Sequence, residues 1–282
     1  MTVHLLFKFL NNKLASIYDE GESMNISEWV FEYYTGYTKG NRLINKNKDL
    51  TIGQEQQINA ALKRLLNHEP VQYILNESWF YKEKYFVDQN VLIPRPETEE
   101  LVEWVLKTNG RKNGKILDIG TGSGCIAISL KKYLPNSSVE AIDVSEGALH
   151  VAKRNAGFLN ADVNLHRVDF LDENNWKQLG QYDLIISNPP YIPISEKEKL
   201  SRNVSDHEPG TALFVENSDP FIFYKKIADF CSGHLTEGGK VFVEVHENGA
   251  DEVRRLFEEG RLKEVTIRKD IYERDRMISA VK

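Results

Sequence analysis

Cysteine is scarce in this chain of 282 residues, and long apolar runs are missing from it. The two cysteines, Cys125 and Cys231, stand far apart without the spacing of metal ligands, so we expect no metal and a reducing setting. No segment approaches the roughly 20 consecutive apolar residues that a membrane-spanning helix needs. The sequence therefore predicts a cytoplasmic protein that has no membrane partner.

An excess of basic residues is also missing. The chain has 36 Lys and Arg residues against 42 Asp and Glu residues, which gives a formal net charge of −6. Because proteins that bind nucleic acid usually present a basic face, this balance argues against direct nucleic-acid binding and suits a basic protein partner. Hydrophobic residues make up 41% of the sequence, enough for one large domain or for a medium domain plus a small one.

The spacing of apolar residues changes twice along the chain. Residues 1–70 have helical spacing and predict a small helical domain, whereas residues 71–93 are aromatic and β-like and predict a β-hairpin linker. From residue 94 to residue 282, strand and helix patterns alternate. This alternation predicts an α/β domain with a doubly wound, mostly parallel sheet.

The strands and helices of this α/β domain are predicted from its apolar runs and from the residues that start and end them. The strands are expected at residues 116–119, 139–142, 163–168, 182–187 and 241–245, with a closing antiparallel pair at 265–268 and 277–281. The helices are expected from Pro96 to about Gly110, from Ser123, from Ser145 to Gly157, from Phe221 to Leu235 and from Asp251 to Phe257. The pair Gly238-Gly239 is expected to end the fourth of these helices.

The motif Asn188-Pro189-Pro190-Tyr191 follows the apolar run from Tyr182 to Ser187, which is typical of a buried parallel strand. Neither proline has an N–H, and each favours extended geometry in the residue before it, so the motif forms a stiff loop. Open α/β sheets bind their ligands at such carboxyl ends of strands. The side-chain oxygen of Asn188 and the carbonyl of Pro189 can accept both hydrogens of one –NH2 group. The motif therefore indicates chemistry on an amino or amide nitrogen.

A glycine-rich loop, Gly120-Thr121-Gly122-Ser123-Gly124, follows the first strand of the α/β domain. Asp143 ends the next strand, 23 residues after Gly120, where an acid typically accepts hydrogen bonds from a ribose. Cys125 stands where a dinucleotide fingerprint has glycine, and the loop lacks a phosphate-binding lysine. A tight strand-to-helix turn would explain the glycines alone, but together with Asp143 they predict a nucleoside ligand without a pyrophosphate.

These residues resemble the class I S-adenosylmethionine-dependent methyltransferases. The resemblance implies S-adenosyl-L-methionine as the cofactor, with its methionine end on residues Gly120 to Gly124 (including Thr121, Gly122 and Ser123) and its ribose on Asp143. It places Phe170, after the third strand, beside the adenine, and Asp169 near the adenine amino group. Asn188 then faces the cofactor as well as the substrate.

Two further segments narrow the resemblance. Leu92-Ile93-Pro94-Arg95-Pro96-Glu97-Thr98-Glu99 precedes the α/β domain, and His207-Glu208-Pro209-Gly210-Thr211-Ala212-Leu213 follows the Asn-Pro-Pro-Tyr loop. With the helical first domain, they resemble the HemK/PrmC family of release-factor glutamine methyltransferases, which implies a seven-stranded sheet. One departure is Asn76-Glu77, where that family usually has a glycine, so the hairpin turn is expected to differ there.

The resemblance implies methyl transfer to the side-chain amide nitrogen of the glutamine in the Gly-Gly-Gln motif of class 1 peptide chain release factors. Asn188 and Pro189 then hold the amide, Tyr191 forms a wall of the acceptor pocket, and Pro190 completes the substrate site. The first domain is expected to recognise the substrate, and the protein is expected to be a monomer. The roles of Arg95, Asp169, Glu208 and Glu244 stay open.

Three alternatives remain open at this point. The first is a methyltransferase for glutamine in a ribosomal protein, because that sister family shares the Asn-Pro-Pro-Tyr motif. The second is methylation of exocyclic amino groups in DNA or RNA, which would normally require a basic recognition domain. The third is a cofactor-binding scaffold without catalysis, against which the intact motif argues.

Overall fold

The computed structural model describes residues 1–109 and 113–282 of the chain. Contacts divide the chain into two units, the first made of Met1–Asn76 and Ser201–His207, the second of Glu77–Leu200 and Glu208–Lys282. The domain boundaries expected after residues 70 and 93 stay a prediction. No helix in the described part of the chain is long and apolar enough to cross a lipid bilayer.

The first unit is built mainly from helices whose starts are capped by side chains. Its helices are α1 (Val3–Leu14), α2 (Glu20–Thr35), α3 (Lys39–Ile44), α4 (Ile52–Leu66) and α5 (Val71–Leu75). Side-chain oxygens accept backbone N–H bonds at the first four starts, and these oxygens belong to Thr2, Asp19, Thr38 and Thr51. Such caps satisfy donors that a helix start leaves unpaired. Buried apolar residues such as Leu10, Val30 and Ile58 form the core of this unit.

The segment Val71–Leu75 is helical, so the β-like pattern predicted from residue 71 is wrong at its start. Pro70 precedes this helix with φ of −56°, and its carbonyl accepts hydrogen bonds from the N–H groups of Tyr73 and Ile74. Proline fixes φ near a helical value and is well tolerated at a helix start. The backbone geometry of Pro70 therefore favours a helix here, although the aromatic and β-branched residues of the segment favour a strand.

Asn76 ends α5 in the left-handed conformation, with φ of 55°, and its N–H donates to the carbonyl of Gln72. Glycine and asparagine are the residues that adopt this conformation most easily. The departure from the family pattern is therefore located at a helix end, outside the hairpin turn. We expect Asn76→Gly to keep the free energy of unfolding within about 0.5 kcal/mol and Asn76→Val to lower it by about 1–2 kcal/mol. Urea unfolding of both variants measures this difference, and equal stabilities would contradict it.

A β-hairpin forms within the predicted linker segment. Its strands, β1 (Ser78–Phe80) and β2 (Glu83–Tyr85), are antiparallel. The two residues between them, Tyr81 and Lys82, have φ of 47° and 70°. Positive φ at both central residues is the property of a type I′ turn, whose twist matches that of the strands.

The second unit contains the predicted doubly wound sheet. Its strands are β3 (Lys115–Ile119), β4 (Ser138–Asp143), β5 (Asn164–Arg167), β6 (Tyr182–Ser187), β9 (Leu235–Glu244), β10 (Lys263–Lys269) and β11 (Asp275–Val281), with a separate two-stranded pair β7 (Ile192–Pro193) and β8 (Phe214–Val215). The order in the sheet is β10-β11-β9-β6-β3-β4-β5, and β11 runs antiparallel to the other six of these strands. The predicted fold class is therefore confirmed.

Helices cover both faces of this sheet. The remaining α-helices of the described residues are α6 (Pro96–Asn109), α7 (Cys125–Tyr133), α8 (Glu146–Phe158), α9 (Arg202–Ser205, in the first unit), α10 (Gly210–Leu213), α11 (Ile222–His234) and α12 (Ala250–Glu259). One buried core contains residues of α6, α7 and α8, and the other contains residues of α11 and α12. Gly110, where the first of these helices was expected to end, lies outside the described residues.

The pair Gly238-Gly239 lies inside β9, so the prediction that it ends a helix is wrong. The helix α11 already ends at His234, and the strand begins at Leu235. Gly238 has φ of 74°, and the pairing of β9 with β6 shifts register beside it. A Cβ on Gly239 would lie 2.8 Å from the carbonyl oxygen of Thr236. These glycines therefore permit an irregularity in the strand, where glycine is commonly used.

Candidate active site

A pocket lies at the carboxyl ends of β3, β4 and β6 and brings the two predicted motifs together. The chain runs outward through β3, β4 and β5 and then returns to place β6 beside β3, so that Ile119 pairs with Ser187. Ligands of open α/β sheets bind at such a point of reversal. The predicted site residues that line the pocket are Gly120, Thr121, Gly122, Ser123, Asp143, Asp169, Phe170, Asn188, Pro189 and Pro190.

The three glycines of the loop after β3 all have positive φ, at 74°, 54° and 80° for Gly120, Gly122 and Gly124. This region of backbone conformation favours glycine. A Cβ on either of the first two would meet no atom within 4 Å, whereas a Cβ on Gly124 would lie 2.9 Å from Cδ1 of Ile128. The first two glycines therefore leave the backbone open to a ligand, and the third allows close packing within the protein.

Asp118 anchors the same loop from inside the sheet. Its Oδ2 accepts hydrogen bonds from Oγ1 of Thr121 at 2.7 Å and from the N–H of Ala127 at 3.2 Å. Burial raises the pKa of the Asp118 carboxyl to about 7. Asp118 is not among the predicted site residues, although an acid inside an apolar strand just before a glycine loop is a signal that points to such a role.

Asp143 holds two loops together at the end of β4. Its Oδ2 accepts the N–H of Gly122 at 2.9 Å, and its Oδ1 accepts the N–H of Ser145 at 2.9 Å. Burial raises its pKa, and these backbone hydrogen bonds act in the opposite direction. The residue predicted as a ribose ligand therefore also fixes the glycine-rich loop.

Phe170 and Asp169 line the pocket just after the end of β5. Phe170 is 5% exposed and stacks on Trp176 with a centroid distance of 5.5 Å, while the Nε1–H of Trp176 donates to the Phe170 carbonyl. The Oδ1 of Asp169 accepts the N–H of Leu171 at 3.1 Å. Phe170 thus belongs to the core and also lines the pocket.

Asn188 is held by α6 as well as by its own loop. Its Nδ2 donates to Oγ1 of Thr98 at 3.0 Å. A primary amide has its donor and acceptor at opposite ends, so this bond leaves the Oδ1 of Asn188 for another partner. Pro189 and Pro190 line the pocket beside it, which keeps the predicted carbonyl acceptor in the same loop.

Glu244, in the last position of β9, connects Thr98 with Tyr191. Its Oε2 accepts the Thr98 hydroxyl at 2.6 Å, and its Oε1 accepts the Tyr191 hydroxyl at 3.2 Å. The side chain is buried, and this burial raises the pKa of the Glu244 carboxyl to about 7. Tyr191 lines a second, neighbouring pocket together with His246. The structure thus places Tyr191 beside the pocket at the ends of β3, β4 and β6 instead of in its lining.

Glu208 is a buried carboxylate that fixes the segment before α6. Its Oε2 accepts the N–H of Ile93 at 3.1 Å, and its Oε1 pairs with the guanidinium of Arg95. Among the described residues that line the pocket, Arg95 is the only basic one. Because this cation is already paired, the described lining residues offer no unpaired basic side chain to a pyrophosphate.

Two family models and two similar proteins indicate which family this chain belongs to. A family model described as "PrmC N-terminal domain" matches residues 6–75, and one described as "Methyltransferase small domain" matches residues 97–206. The chain is 42% identical to the release factor glutamine methyltransferase of Flavobacterium psychrophilum over 269 residues, which cover 94% of each chain. It is 37% identical to the release factor glutamine methyltransferase of Bacteroides thetaiotaomicron, over 96% of this chain and 97% of the other.

The fold is similar to that of solved methyltransferases. A crystal structure of a methyltransferase from Pyrococcus furiosus matches with a TM-score of 0.54 at 20% sequence identity. The match covers 79% of this chain and 98% of the other. At this level of identity the likeness shows a common fold.

Proposed function

Since the chain belongs to the release factor glutamine methyltransferase family, we propose that it methylates the side-chain amide nitrogen of a glutamine in class 1 peptide chain release factors. The glutamine is that of the Gly-Gly-Gln motif, and the methyl donor is S-adenosyl-L-methionine. The observation that carries this proposal is the position of Asn188, a rigidly held amide beside a nucleoside-type pocket.

The pocket suits S-adenosyl-L-methionine in three respects. The open backbone at Gly120 and Gly122 permits close approach of the methionine end. The carboxylate of Asp143 has capacity for ribose hydroxyls beyond its two backbone hydrogen bonds. Phe170 in the lining offers an apolar surface to the adenine. Because Arg95 is paired with Glu208, a ligand without phosphate groups fits better than a dinucleotide.

When bound, the cofactor supplies a methyl group made electrophilic by its sulfonium. An amide nitrogen is a poor nucleophile because its lone pair is delocalised into the carbonyl, a resonance that gives peptide bonds a rotation barrier of about 18–20 kcal/mol. The Oδ1 of Asn188 and the carbonyl of Pro189 accept the two hydrogens of the glutamine amide and hold its nitrogen toward the methyl group. Each acceptor also stabilises the positive charge that develops there, by about 3 kcal/mol in analogy with oxyanion-hole donors.

The chain needs no general base for this reaction. As the new N–C bond forms, the bond between the methyl carbon and the sulfur breaks and its electron pair goes to the sulfur. The nitrogen becomes positively charged and its remaining hydrogens become strongly acidic. One of them is lost to water after the transfer. This agrees with a site built from hydrogen-bond acceptors around Asn188, in which the carboxylate of Glu244 already accepts two side-chain hydroxyls.

The proposed partner is a protein, recognised with a contribution from the first unit. The formal charge of −6 favours approach to a basic partner through long-range electrostatics. We further propose that the enzyme acts as a monomer in the cytoplasm, where the release factors are found.

Radiolabelled transfer tests this proposal directly. The full-length protein is incubated with methyl-labelled cofactor and, in parallel, with a class 1 release factor, a ribosomal protein and duplex DNA. Label is expected on the release factor alone, and mass mapping is expected to find it on the Gly-Gly-Gln glutamine. A release factor with that glutamine changed to asparagine serves as the control and should stay unlabelled. Label on the ribosomal protein or on DNA at equal or higher rates would refute the proposal.

A further inference from the structure

We propose that Thr98 and Glu244 are positioning residues that hold the Asn188 amide with its oxygen toward the substrate. This inference rests on the proposed function, since it concerns the same acceptor. A line of hydrogen bonds connects the three side chains, from Nδ2 of Asn188 to Oγ1 of Thr98 at 3.0 Å and from that hydroxyl to Oε2 of Glu244 at 2.6 Å. The line joins the loop after β6 to α6 and to the end of β9.

The direction of these bonds follows from counting hydrogens. An ionised carboxylate only accepts, so the hydrogen between Thr98 and Glu244 must come from the hydroxyl. A threonine hydroxyl has a single hydrogen, and Thr98 can therefore only accept from Asn188. The nitrogen end of the Asn188 amide must then face Thr98. The carboxylate of Glu244 thus sets the orientation of an amide that it does not touch.

Orientation matters because the two ends of an amide have nearly the same shape. Pro189 and Pro190 stiffen the backbone of the loop, but they do not fix the rotation of the Asn188 side chain about its last bond. An amide rotated by half a turn would direct its own N–H groups at the hydrogens of the substrate amide. The site would then lose one of its two acceptors. The Thr98 hydroxyl is the group that discriminates between the two orientations.

The surroundings of Glu244 make this control sensitive to pH. Charged or titratable groups face it from α6, the Asn-Pro-Pro-Tyr loop, α11 and β11, and these groups are Glu97, Tyr191, Tyr224 and Arg276. The hydroxyl of Tyr224 donates to the Glu244 backbone carbonyl at 3.0 Å. Burial raises the pKa of Glu244 to about 7, while Thr98, Arg276 and Tyr191 lower it and Glu97 raises it. Loss of the Glu244 proton as the pH rises through neutrality therefore fixes the Asn188 amide with its oxygen toward the substrate.

Variants of Thr98 separate orientation from packing. Thr98→Val keeps the shape of the side chain and removes its hydroxyl, whereas Thr98→Ser keeps the hydroxyl. We expect Thr98→Val to lower kcat about 10- to 100-fold, because the unpaired Asn188 NH2 group turns toward the pocket. The Kd for S-adenosylhomocysteine should stay within about twofold, since no cofactor contact is removed. Thr98→Ser should retain kcat within about threefold, since its hydroxyl can make both bonds.

A matched control lies on the same helix. Thr108 is an exposed residue of α6 whose hydroxyl donates to the carbonyl of Trp104, and Thr108→Val should leave kcat unchanged. If Thr98→Ser lost as much activity as Thr98→Val, or if Thr98→Val kept the activity of the wild type, the positioning role would be wrong.

Glu244→Gln supplies a test that does not require turnover. The side-chain NH2 resonances of Asn188, assigned by their loss in Asn188→Ala, are followed by NMR as a function of pH in the ligand-free protein. In the wild type they should shift with a midpoint near neutral pH, and in Glu244→Gln this shift should vanish. The wild-type kcat should rise over the same range and that of Glu244→Gln should not. Resonances without a pH response in the wild type would overturn the inference, whereas absence of release-factor methylation with this response intact would count against the proposed function alone.

Discussion

Asn188→Ala is expected to lower kcat by about 100- to 1,000-fold, the loss typical of removing one preorganised group that stabilises a transition-state charge. The Oδ1 of Asn188 is one of only two acceptors proposed for the substrate amide, and alanine offers no replacement. The Kd for S-adenosylhomocysteine should change by less than about threefold, because the contacts proposed for the nucleoside are on other residues. Single-turnover methylation of a release factor and calorimetric titration of the cofactor product measure the two quantities. Near-wild-type kcat in this variant would mean that the acceptor model is wrong.

Asn188→Asp gives a sharper outcome at the same position. An aspartate retains an oxygen for the substrate, but a second oxygen replaces the NH2 group that donates to Thr98. The Thr98 hydroxyl has already given its hydrogen to Glu244, so two acceptors would meet unless a proton is shared between the two carboxylates. We expect kcat of this variant to lie between those of the wild type and Asn188→Ala, and to fall as pH rises through neutrality. The wild type should show the opposite slope, and parallel pH profiles would contradict this expectation.

Asp143→Asn is expected to raise the Kd for S-adenosylhomocysteine by about 10- to 100-fold. An asparagine keeps one acceptor oxygen, whereas the wild-type carboxylate accepts from both Gly122 and Ser145. One of these N–H groups then meets an NH2 group, and hydrogen bonds to charged groups typically contribute about 1.5–3 kcal/mol. Isothermal titration calorimetry measures the loss. Asp162→Asn, which removes an exposed carboxylate of the same unit, should leave the Kd unchanged.

A second ligand separates the two roles of Asp143. Methylthioadenosine shares the nucleoside with S-adenosylhomocysteine but lacks the amino-acid end. If Asp143 acted only on the ribose, both ligands would lose affinity by the same factor. Since Asp143 also fixes Gly122, we expect the larger loss for S-adenosylhomocysteine, because its amino-acid end is proposed to lie on the glycine-rich loop.

Local sequence signals located the elements that form the pocket. The run ending at Ser187 and the glycines after Ile119 are contiguous motifs, and both were predicted as strand ends. Parallel alternation then predicted that such ends share one edge of the sheet. The structure confirms the sheet and the meeting of these two ends.

The connections between distant residues could not be predicted in the same way. Thr98 and Asn188 are 90 positions apart, and Thr98 and Glu244 are 146 positions apart, so no periodicity links them. Thr98 and Glu244 were visible only as a residue of the helix start and an acid at a strand end. Their hydrogen bonds depend on how α6 packs against β9, which is a property of the folded chain.

Two predicted elements differ from the observed ones because individual residues oppose the pattern of the segment around them. Aromatic and β-branched residues after Pro70 suggested a strand, yet the proline carbonyl and φ favour a helical turn. Gly238-Gly239 suggested a helix end, yet these residues form an irregular start of β9. In both cases one or two residues with special backbone geometry decide the local structure.

The Asp143 carboxylate and the glycine-rich loop hold each other in place by hydrogen bonds within the protein. The contacts proposed for a nucleoside bound there are at its ribose, adenine and amino-acid end, none of which changes when the methyl group leaves. S-adenosylhomocysteine should consequently compete with S-adenosyl-L-methionine for the pocket with nearly equal affinity. Turnover in the cell would then follow the ratio of S-adenosyl-L-methionine to S-adenosylhomocysteine, so that methylation of release factors depends on the supply of activated methyl groups.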